Sequence, residues 1–276
     1  MDNDVGVMAS IKADGSTLRY VAEFGLEVCQ VVGWRQDLLT DEMADALRRQ
    51  SDELGVGMTS LWAGWPGPRV WDFLDGPATL GLVPEAYRAE RVESLKRAAR
   101  FAHRAGLPAI VTHLGFVPEN PRDPVFAEVV AAVREVAEVL AGLDMEFWFE
   151  TGQETPVTML RLIREVGTGN LGINLDPANL ILYGKANPID ALDTFGAYVR
   201  SIHAKDGLYP TEPMKLGREV KVGQGRVRFP EFARRLAEIG YDGAFIIERE
   251  ISGPEQQKDI AETVGYLRNL LKETRA

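Results

Sequence analysis

The sequence lacks long hydrophobic runs and contains a single cysteine, Cys29. No uncharged apolar run reaches the length of about 18 residues that a membrane-spanning helix needs. The N-terminus also lacks the basic segment and long apolar stretch of a signal peptide, so we expect neither a leader nor a membrane partner. One cysteine cannot form a disulfide within the chain, which favours a reducing compartment, and we expect the cytoplasm.

Basic residues are scarce relative to acidic ones. The chain has 31 Lys and Arg against 41 Asp and Glu, a net charge of −10 at pH 7. Proteins that grip a nucleic-acid backbone usually present a basic face, so this balance argues against a nucleic-acid partner. Apolar residues make up 45% of the 276 residues, which is enough for a complete core. Because no low-complexity linker divides the chain, we predict one domain over residues 1–276.

Short apolar runs alternate with longer stretches of helical periodicity. The predicted strands are Val5–Ser10, Glu27–Val32, Val56–Leu61, Ala109–His113, Met145–Glu150, Leu171–Asp176, Val199–His203 and Ala244–Glu248. The predicted helices include Pro84–Ala105, Pro124–Leu140, Thr155–Val166, Phe229–Ile239 and Glu255–Lys272. Glycines typical of left-handed helix ends precede several strands, namely Gly25, Gly55, Gly106 and Gly240.

Eight strand–helix units of about 34 residues each predict parallel βαβ units. Their number indicates an α/β fold with a single (β/α)8 TIM barrel. An open doubly wound sheet is the alternative. It is weakened because no GxGxxG motif follows the first predicted strand, as dinucleotide-binding sheets of that kind require.

Titratable residues end five consecutive predicted strands: His113, Glu150, Asp176, His203 and Glu248. Barrel strands are buried on both faces, so a charge at the strand end must point into the C-terminal mouth and find a partner there. Three carboxylates converging on one pocket repel unless protons or a cation lie among them. We therefore predict a divalent metal held by Glu150, Asp176, His203 and Glu248, with a structural ion-pair network as the alternative.

An oxygen-rich ligand set with one imidazole suits Mn²⁺, with Mg²⁺ or Co²⁺ as alternatives, better than structural zinc. Lys205 shares a strand face with His203 and is a candidate for polarising a substrate oxygen, or else for an ion pair with Asp206 or a ligand carboxylate. Trp62 and His113 are candidate substrate contacts. The alternative for Trp62 is loop packing, and the alternatives for His113 are ligation of a second metal and a hydrogen-bonded role at the mouth. Cys29 is interpreted as a core residue.

Two long irregular stretches follow predicted strands and so lie at the mouth: residues 63–81 and 207–225. Long loops inside compact barrels are usually functional. We expect the second stretch, which begins two residues after Lys205, to close over bound substrate.

Several segments resemble the sugar phosphate isomerase/epimerase superfamily, the xylose isomerase-like barrels. They are FWFETGQET (147–155), NLGINLDPANLILYG (170–184), VRSIHAKDGLYPT (199–211), VGQGRVRFPEF (222–232) and GYDGAFIIEREISG (240–253). The family includes ketose 3-epimerases, hydroxypyruvate isomerase and keto-inositol dehydratase. The resemblance implies a (β/α)8 barrel, an Mn²⁺-type metal on the same four residues, and an acid/base pair formed by Glu150 and Glu248.

The chain departs from the 3-epimerases at two positions. Their substrate-binding His three residues after the metal Asp is Asn179 here, and their Arg six residues after the metal His is Tyr209. The segment His203-Ala-Lys205-Asp206 is similar instead to the HxKD form of the dehydratase and related isomerase branches. Because Asn179 stands at the family's substrate-binding position, the resemblance implies that it contacts substrate. The resemblance also implies a homo-oligomer, either a dimer or a tetramer.

These observations predict a metal-dependent isomerase or epimerase of a small ketose or related hydroxycarbonyl sugar. A metal stabilises the enediolate, and two glutamates move the proton. The same ligands serve elimination, so a lyase or dehydratase acting on a keto-inositol or a 3-keto-glycoside is the alternative. A third hypothesis is a sugar-binding or regulatory barrel that has lost its activity. The endonuclease branch of the family, which binds three zincs through many histidines, is disfavoured by a total of three histidines.

Overall fold

A computed structural model describes residues 4–275. Eight parallel strands form a closed barrel, in the order β1-β2-β3-β4-β5-β6-β7-β10. Their bounds are β1 Val5–Ser10, β2 Val28–Gly33, β3 Gly57–Ala63, β4 Ala109–Thr112, β5 Glu146–Glu150, β6 Leu171–Leu175, β7 Val199–Ala204 and β10 Phe245–Ile247. The predicted TIM barrel is confirmed, and every predicted strand overlaps an observed one.

Helices follow the strands and surround the barrel. Their bounds are α1 Thr17–Glu23, α2 Asp41–Leu54, α3 Gly76–Thr79, α4 Glu85–Ala105, α5 Pro124–Ala141, α6 Pro156–Val166, α7 Pro177–Leu182, α8 Pro188–Phe195, α9 Phe229–Glu238 and α10 Pro254–Arg275. Within the described part of the chain, no helix combines the length and apolarity that crossing a bilayer requires.

Local sequence explains where these elements begin and end. The hydroxyl of Thr155 accepts the backbone N–H of Thr158 at 3.3 Å, and Pro156 opens α6 with a ring that already has helical φ. The four glycines predicted to end helices have φ between +62° and +83°, the left-handed region in which a side chain would be strained. The predicted helix ends are therefore confirmed.

Residues 207–225 are less irregular than predicted. They contain most of an antiparallel hairpin of β8, Asp206–Leu208, and β9, Arg218–Val220. Asp206 organises the loop after the hairpin, because its carboxylate accepts four backbone N–H groups at 2.8–3.1 Å; the donors are Gly207, Gly223, Gly225 and Val227. These contacts hold the base of the hairpin, and the side chains of Tyr209 and Met214 are exposed. Closure of this stretch over bound substrate stays a prediction.

Candidate active site

Four ligand-type side chains meet at the carboxyl ends of neighbouring barrel strands. Glu150 is the last residue of β5, Asp176 follows β6, His203 lies in β7, and Glu248 follows β10. One ligand atom from each lies within 4.8 Å of the others. Glu150, Asp176 and His203 are fully buried, and the Glu248 side chain is 15% exposed. The strand-end residues chosen from sequence are thus brought together.

Two atoms in this cluster have no hydrogen-bond partner. Asp176 Oδ1 accepts the backbone N–H of Asn179 at 2.8 Å and caps α7, whereas Asp176 Oδ2 has no hydrogen-bond partner. His203 Nδ1 lies 3.1 Å from Glu248 Oε2 and 3.3 Å from Glu150 Oε1 but makes no hydrogen bond. Carboxylate and imidazole donors around one point fit a divalent cation.

Neighbouring charges outweigh burial in setting the ionisation of Glu150 and His203. Burial favours the neutral form of Glu150, but the charges of His113 and His203 outweigh burial and hold the pKa of this carboxyl well below its usual range. Burial likewise favours neutral His203, but Glu150 and Glu248 raise the pKa of its imidazole well above the ordinary value. A cation among the carboxylates would take the place of the imidazole proton.

Lys205 is buried behind the cluster. Its ammonium lies 3.0 Å from Glu250 Oε1, 3.3 Å from Glu248 Oε2 and 3.4 Å from Asp176 Oδ2. Burial opposes its charge, but these carboxylates raise the pKa of Lys205 well above the usual value, so it stays a cation. The alternative of an ion pair with a ligand carboxylate is therefore confirmed, at Glu248 and Asp176, whereas the carboxylate of Asp206 accepts backbone amides instead. Contact between Lys205 and substrate stays a prediction.

The cluster opens into a cavity of about 330 Å³ at the mouth of the barrel. Its lining residues are Met8, Trp34, Trp62, Trp71, His113, Glu150, Gln153, Asn179, Leu182, Tyr183, Leu216, Glu248 and Glu250. Glu150 and Glu248 are among them, whereas Asp176 and His203 are not. Two of the four ligand-type residues therefore face the cavity, and two lie behind it.

An aromatic wall of four tryptophans, Trp34, Trp62, Trp65 and Trp71, stands on one side of the cavity. Trp65 does not line the cavity itself but packs against the other three rings, which do. The ring of Trp62 is 4.7 Å from that of Trp34 and 6.0 Å from that of Trp65, between centroids. Gly64 permits this packing, because a Cβ there would lie 2.4 Å from the Trp34 ring. Trp62 Nε1 donates to Glu150 Oε2, which joins the wall to the cluster.

Two side chains hold the wall in place. His113 follows β4, with its ring 5.0 Å from that of Trp71 and its Nε2 3.4 Å from Glu150 Oε1. The fully buried guanidinium of Arg91 donates to the carbonyls of Pro66, Pro68 and Gly81. It thereby fixes the loop after β3 that supplies Trp65 and Trp71.

Sequence reasoning missed several cavity residues. Trp34, Trp71, Gln153 and Tyr183 line it but were not singled out as site residues. Trp34 and Gln153 each lie shortly after the end of a barrel strand, and this position in the sequence could have identified them as residues of the mouth. Glu154 does not line the cavity, but it is a further buried acid that was not singled out. Neither of its carboxylate oxygens has a hydrogen-bond partner, and burial raises its pKa to about 7.

A closed barrel of eight parallel strands with a charged cluster at the carboxyl ends of those strands is a TIM barrel, whose active sites lie at that end. The sequence model described as a xylose isomerase-like TIM barrel matches residues 18–270. The chain belongs to this family.

Comparison with individual proteins supports the assignment. A crystal structure of a xylose isomerase domain protein from Planctomyces limnophilus is 37% identical, with a TM-score of 0.94 over 99% of both chains. An uncharacterized protein, MJ1311, from Methanocaldococcus jannaschii is 26% identical over 178 residues, which span 60% of this chain and 59% of that protein.

Solved structures of lower identity share the fold alone. A D-tagatose 3-epimerase-like protein is 21% identical, with a TM-score of 0.75 over 98% of both chains. A probable 3-DHS dehydratase, AsbF, from Bacillus anthracis is 18% identical, with a TM-score of 0.67 over 95% of this chain and 98% of that chain.

Proposed function

We propose that this protein is a metal-dependent isomerase or epimerase of a small ketose or related hydroxycarbonyl sugar. One observation supports this above all others. Of the four residues that converge within 4.8 Å, only the two glutamates, Glu150 and Glu248, face the cavity. That is the arrangement expected if all four hold a cation and the two glutamates also reach the substrate.

The residues suit proton transfer next to a carbonyl group. A divalent cation bound by Glu150, Asp176, His203 and Glu248 would act as a Lewis acid on substrate oxygens and offset the repulsion among the carboxylates. Glu150 ends β5 and Glu248 follows β10, and two other strands lie between β5 and β10 around the barrel. One carboxylate can therefore take a proton from carbon while the other returns one from a different side.

The rest of the cavity supports a sugar substrate. Its volume of about 330 Å³ is at the small end for small-molecule sites. Trp62 and Trp71 offer flat apolar faces for a sugar ring, while His113 and Asn179 offer polar contacts. Asn179 Nδ2 also donates to Glu150 Oε1 at 3.1 Å. We propose Mn²⁺ as the metal, a homo-oligomeric assembly, and a cytoplasmic location suggested by the single cysteine.

Elimination on the same site is the second candidate function. The His203-Ala-Lys205-Asp206 segment favours it, because its resemblance is to the dehydratase branch of the family, and a probable dehydratase shares the fold. After the first proton transfer, loss of a β-substituent as water or an alcohol would replace return of the proton to carbon.

A solvent-exchange screen tests both candidates. The Mn²⁺-loaded protein is incubated in deuterated water with ketoses, keto-inositols and 3-keto-glycosides, and products are followed by NMR and mass spectrometry. We expect deuterium on the carbon beside the carbonyl, in an isomer of unchanged composition. Loss of water or of an aglycone would instead favour the lyase. Product without solvent deuterium would contradict proton transfer and indicate a hydride shift.

A further inference from the structure

A polar layer lies inside the barrel directly behind the candidate metal cluster. Gln30 sits within β2, an otherwise apolar strand, and is fully buried. Its Nε2 donates to Ser60 Oγ at 2.9 Å and to Asn174 Oδ1 at 3.2 Å. Its Oε1 lies 2.8 Å from Nε2 of His203. Every atom of this amide group that can form a hydrogen bond therefore has a partner.

The donor and acceptor in the contact between Gln30 and His203 determine which nitrogen of the imidazole carries the hydrogen. An amide oxygen only accepts, so the Gln30 contact requires a hydrogen on His203 Nε2. In the neutral ring, the other nitrogen then holds the lone pair. That nitrogen is Nδ1, which faces Glu150 and Glu248 and has no hydrogen-bond partner. A metal ion needs this lone pair, and a proton on Nδ1 would exclude it.

We propose that Gln30 is a positioning residue that fixes the His203 tautomer and presents Nδ1 to a divalent cation. The inference rests on the metal binding proposed above. Groups that hold the second nitrogen of a ligating imidazole orient the ring and raise metal affinity, and their loss typically costs about 10- to 100-fold in affinity. Gln30 acts without touching substrate or cation, since it lies behind His203 and does not line the cavity.

The competing arrangement is an inverted network. If the amides of Gln30 and Asn174 both turned over, the Gln30 NH₂ group would face His203 Nε2. Nε2 would then hold the lone pair, and Nδ1 would carry the hydrogen among the carboxylates. That arrangement suits a proton-linked ion network and opposes a cation, so the two arrangements differ in an observable property.

Metal titration of substituted proteins tests the inference without an activity assay. Gln30→Met keeps the side-chain length but removes both hydrogen-bonding functions, and Gln30→Glu keeps an acceptor for His203. By calorimetry, we expect Mn²⁺ to bind Gln30→Met about 10- to 100-fold more weakly than wild type. Gln30→Glu should recover most of the loss. Equal affinity in wild type and Gln30→Met would overturn the proposal, and so would loss in both variants alike.

A stability control separates metal affinity from folding. Asn170 Nδ2 donates to the carbonyls of Ala137 and Met145, at the opposite end of the barrel. Asn170→Ala should therefore lower the melting temperature and leave the Mn²⁺ affinity at the wild-type value. If it weakens Mn²⁺ binding as much as Gln30→Met does, the effect is one of general destabilisation and the proposal fails.

Nitrogen-15 NMR of the wild-type protein gives a direct reading even if Gln30→Met does not fold. The chain has three histidines, so a spectrum of the diamagnetic Zn²⁺-loaded form is simple to assign. We expect His203 to be protonated at Nε2 and metal-bound at Nδ1. Protonation at Nδ1 would overturn the inference about Gln30 but would leave the metal dependence of the proposed function standing. Absence of any bound cation in the wild type would overturn both the inference and the metal dependence of the proposed function.

Discussion

The two halves of the barrel mouth differ in chemistry. The ends of β2, β3 and β4 supply Trp34, Trp62 and His113, and the loop after β3 adds Trp65 and Trp71. The ends of β5, β6, β7 and β10 supply the carboxylates, His203 and Lys205. The first half is held by ring packing and by Arg91, and the second by charge.

The difference between the halves suggests a division of work. Flat apolar rings can hold a sugar with little electrostatic preference, whereas buried charges can move protons and hold a cation. The halves meet at Glu150, which accepts from Trp62 and lies beside His113. Substitutions in the charged half should therefore reduce turnover, and those in the aromatic half should mainly affect substrate binding.

The largest effect is expected in the charged half. Glu150→Gln and Glu248→Gln keep side-chain size but remove the base, and each should cost at least about 10²-fold in turnover. Metal content must be measured for each variant, because both residues are also proposed ligands. Glu250→Gln is the matched control: Glu250 lines the same cavity, but its side chain is 55% exposed, and we expect a much smaller loss. Metal-loaded, fully active variants at both positions would remove the acid/base assignment.

Glu154 adds a pH dependence to stability. Burial raises its pKa from 4.5 to about 7, so the folded protein retains a proton that the unfolded chain releases between those values. The contribution of this proton to the free energy of unfolding is complete below the unfolded-state pKa of 4.5 and is lost as pH rises through the folded-state pKa of about 7. Relative to Glu154→Gln, the wild type should lose up to about 3 kcal/mol of unfolding free energy over this range. Urea unfolding at both ends measures it.

The exposed Glu165 serves as the control for that experiment. Glu165→Gln should leave the pH profile of the wild type unchanged. Parallel profiles for wild type and Glu154→Gln would mean that Glu154 ionises normally in the folded protein.

Substitution of Arg91, which holds the loop of the aromatic half in place, should lower stability and weaken substrate binding more than it slows turnover. Arg91→Met leaves the carbonyls of Pro66, Pro68 and Gly81 without their donor, which should cost about 2 kcal/mol of unfolding free energy. Because the loop that carries Trp65 and Trp71 loosens, KM should rise more than kcat falls. Arg88→Met on the same helix loses contacts to Leu82 and Val83 and should lower stability without raising KM. A fall in kcat at constant KM in Arg91→Met would contradict the division of work.

The junction between the halves should give the smallest effect. Trp62→Phe keeps an aromatic ring but removes the N–H that Glu150 accepts, and turnover should fall about tenfold. Trp148→Phe is the matched control, because Trp148 Nε1 donates to Glu146 at 2.5 Å, away from the cluster. Equal losses in the two variants would indicate a packing effect instead.

Most of the fold follows from local patterns in the sequence. The run VGVMAS predicts β1 with its observed bounds, because buried parallel strands are continuous apolar runs. The hairpin of β8 and β9 was missed, because three-residue strands have too few positions for a period to be visible. The carboxylate of Asp206 holds the base of this hairpin, and its four backbone partners lie as many as 21 residues away along the chain.

The candidate site was predictable where residue type and strand end coincide. Glu150 and Glu248 each close an apolar run, and barrel geometry then brings them together. Gln30 was not predicted to matter, because its partner His203 is 173 residues away and only barrel closure makes them neighbours. A polar residue inside an apolar strand was the one available signal. Trp71 likewise reaches the cavity through a loop whose path depends on Arg91.

The central claim is that one cation lies among Glu150, Asp176, His203 and Glu248. Anomalous diffraction from crystals grown with Mn²⁺, collected at the manganese edge, tests it most directly. We predict a single strong peak per chain, within bonding distance of His203 Nδ1 and of an oxygen from each carboxylate. No peak there, or manganese bound only elsewhere on the chain, would contradict the account.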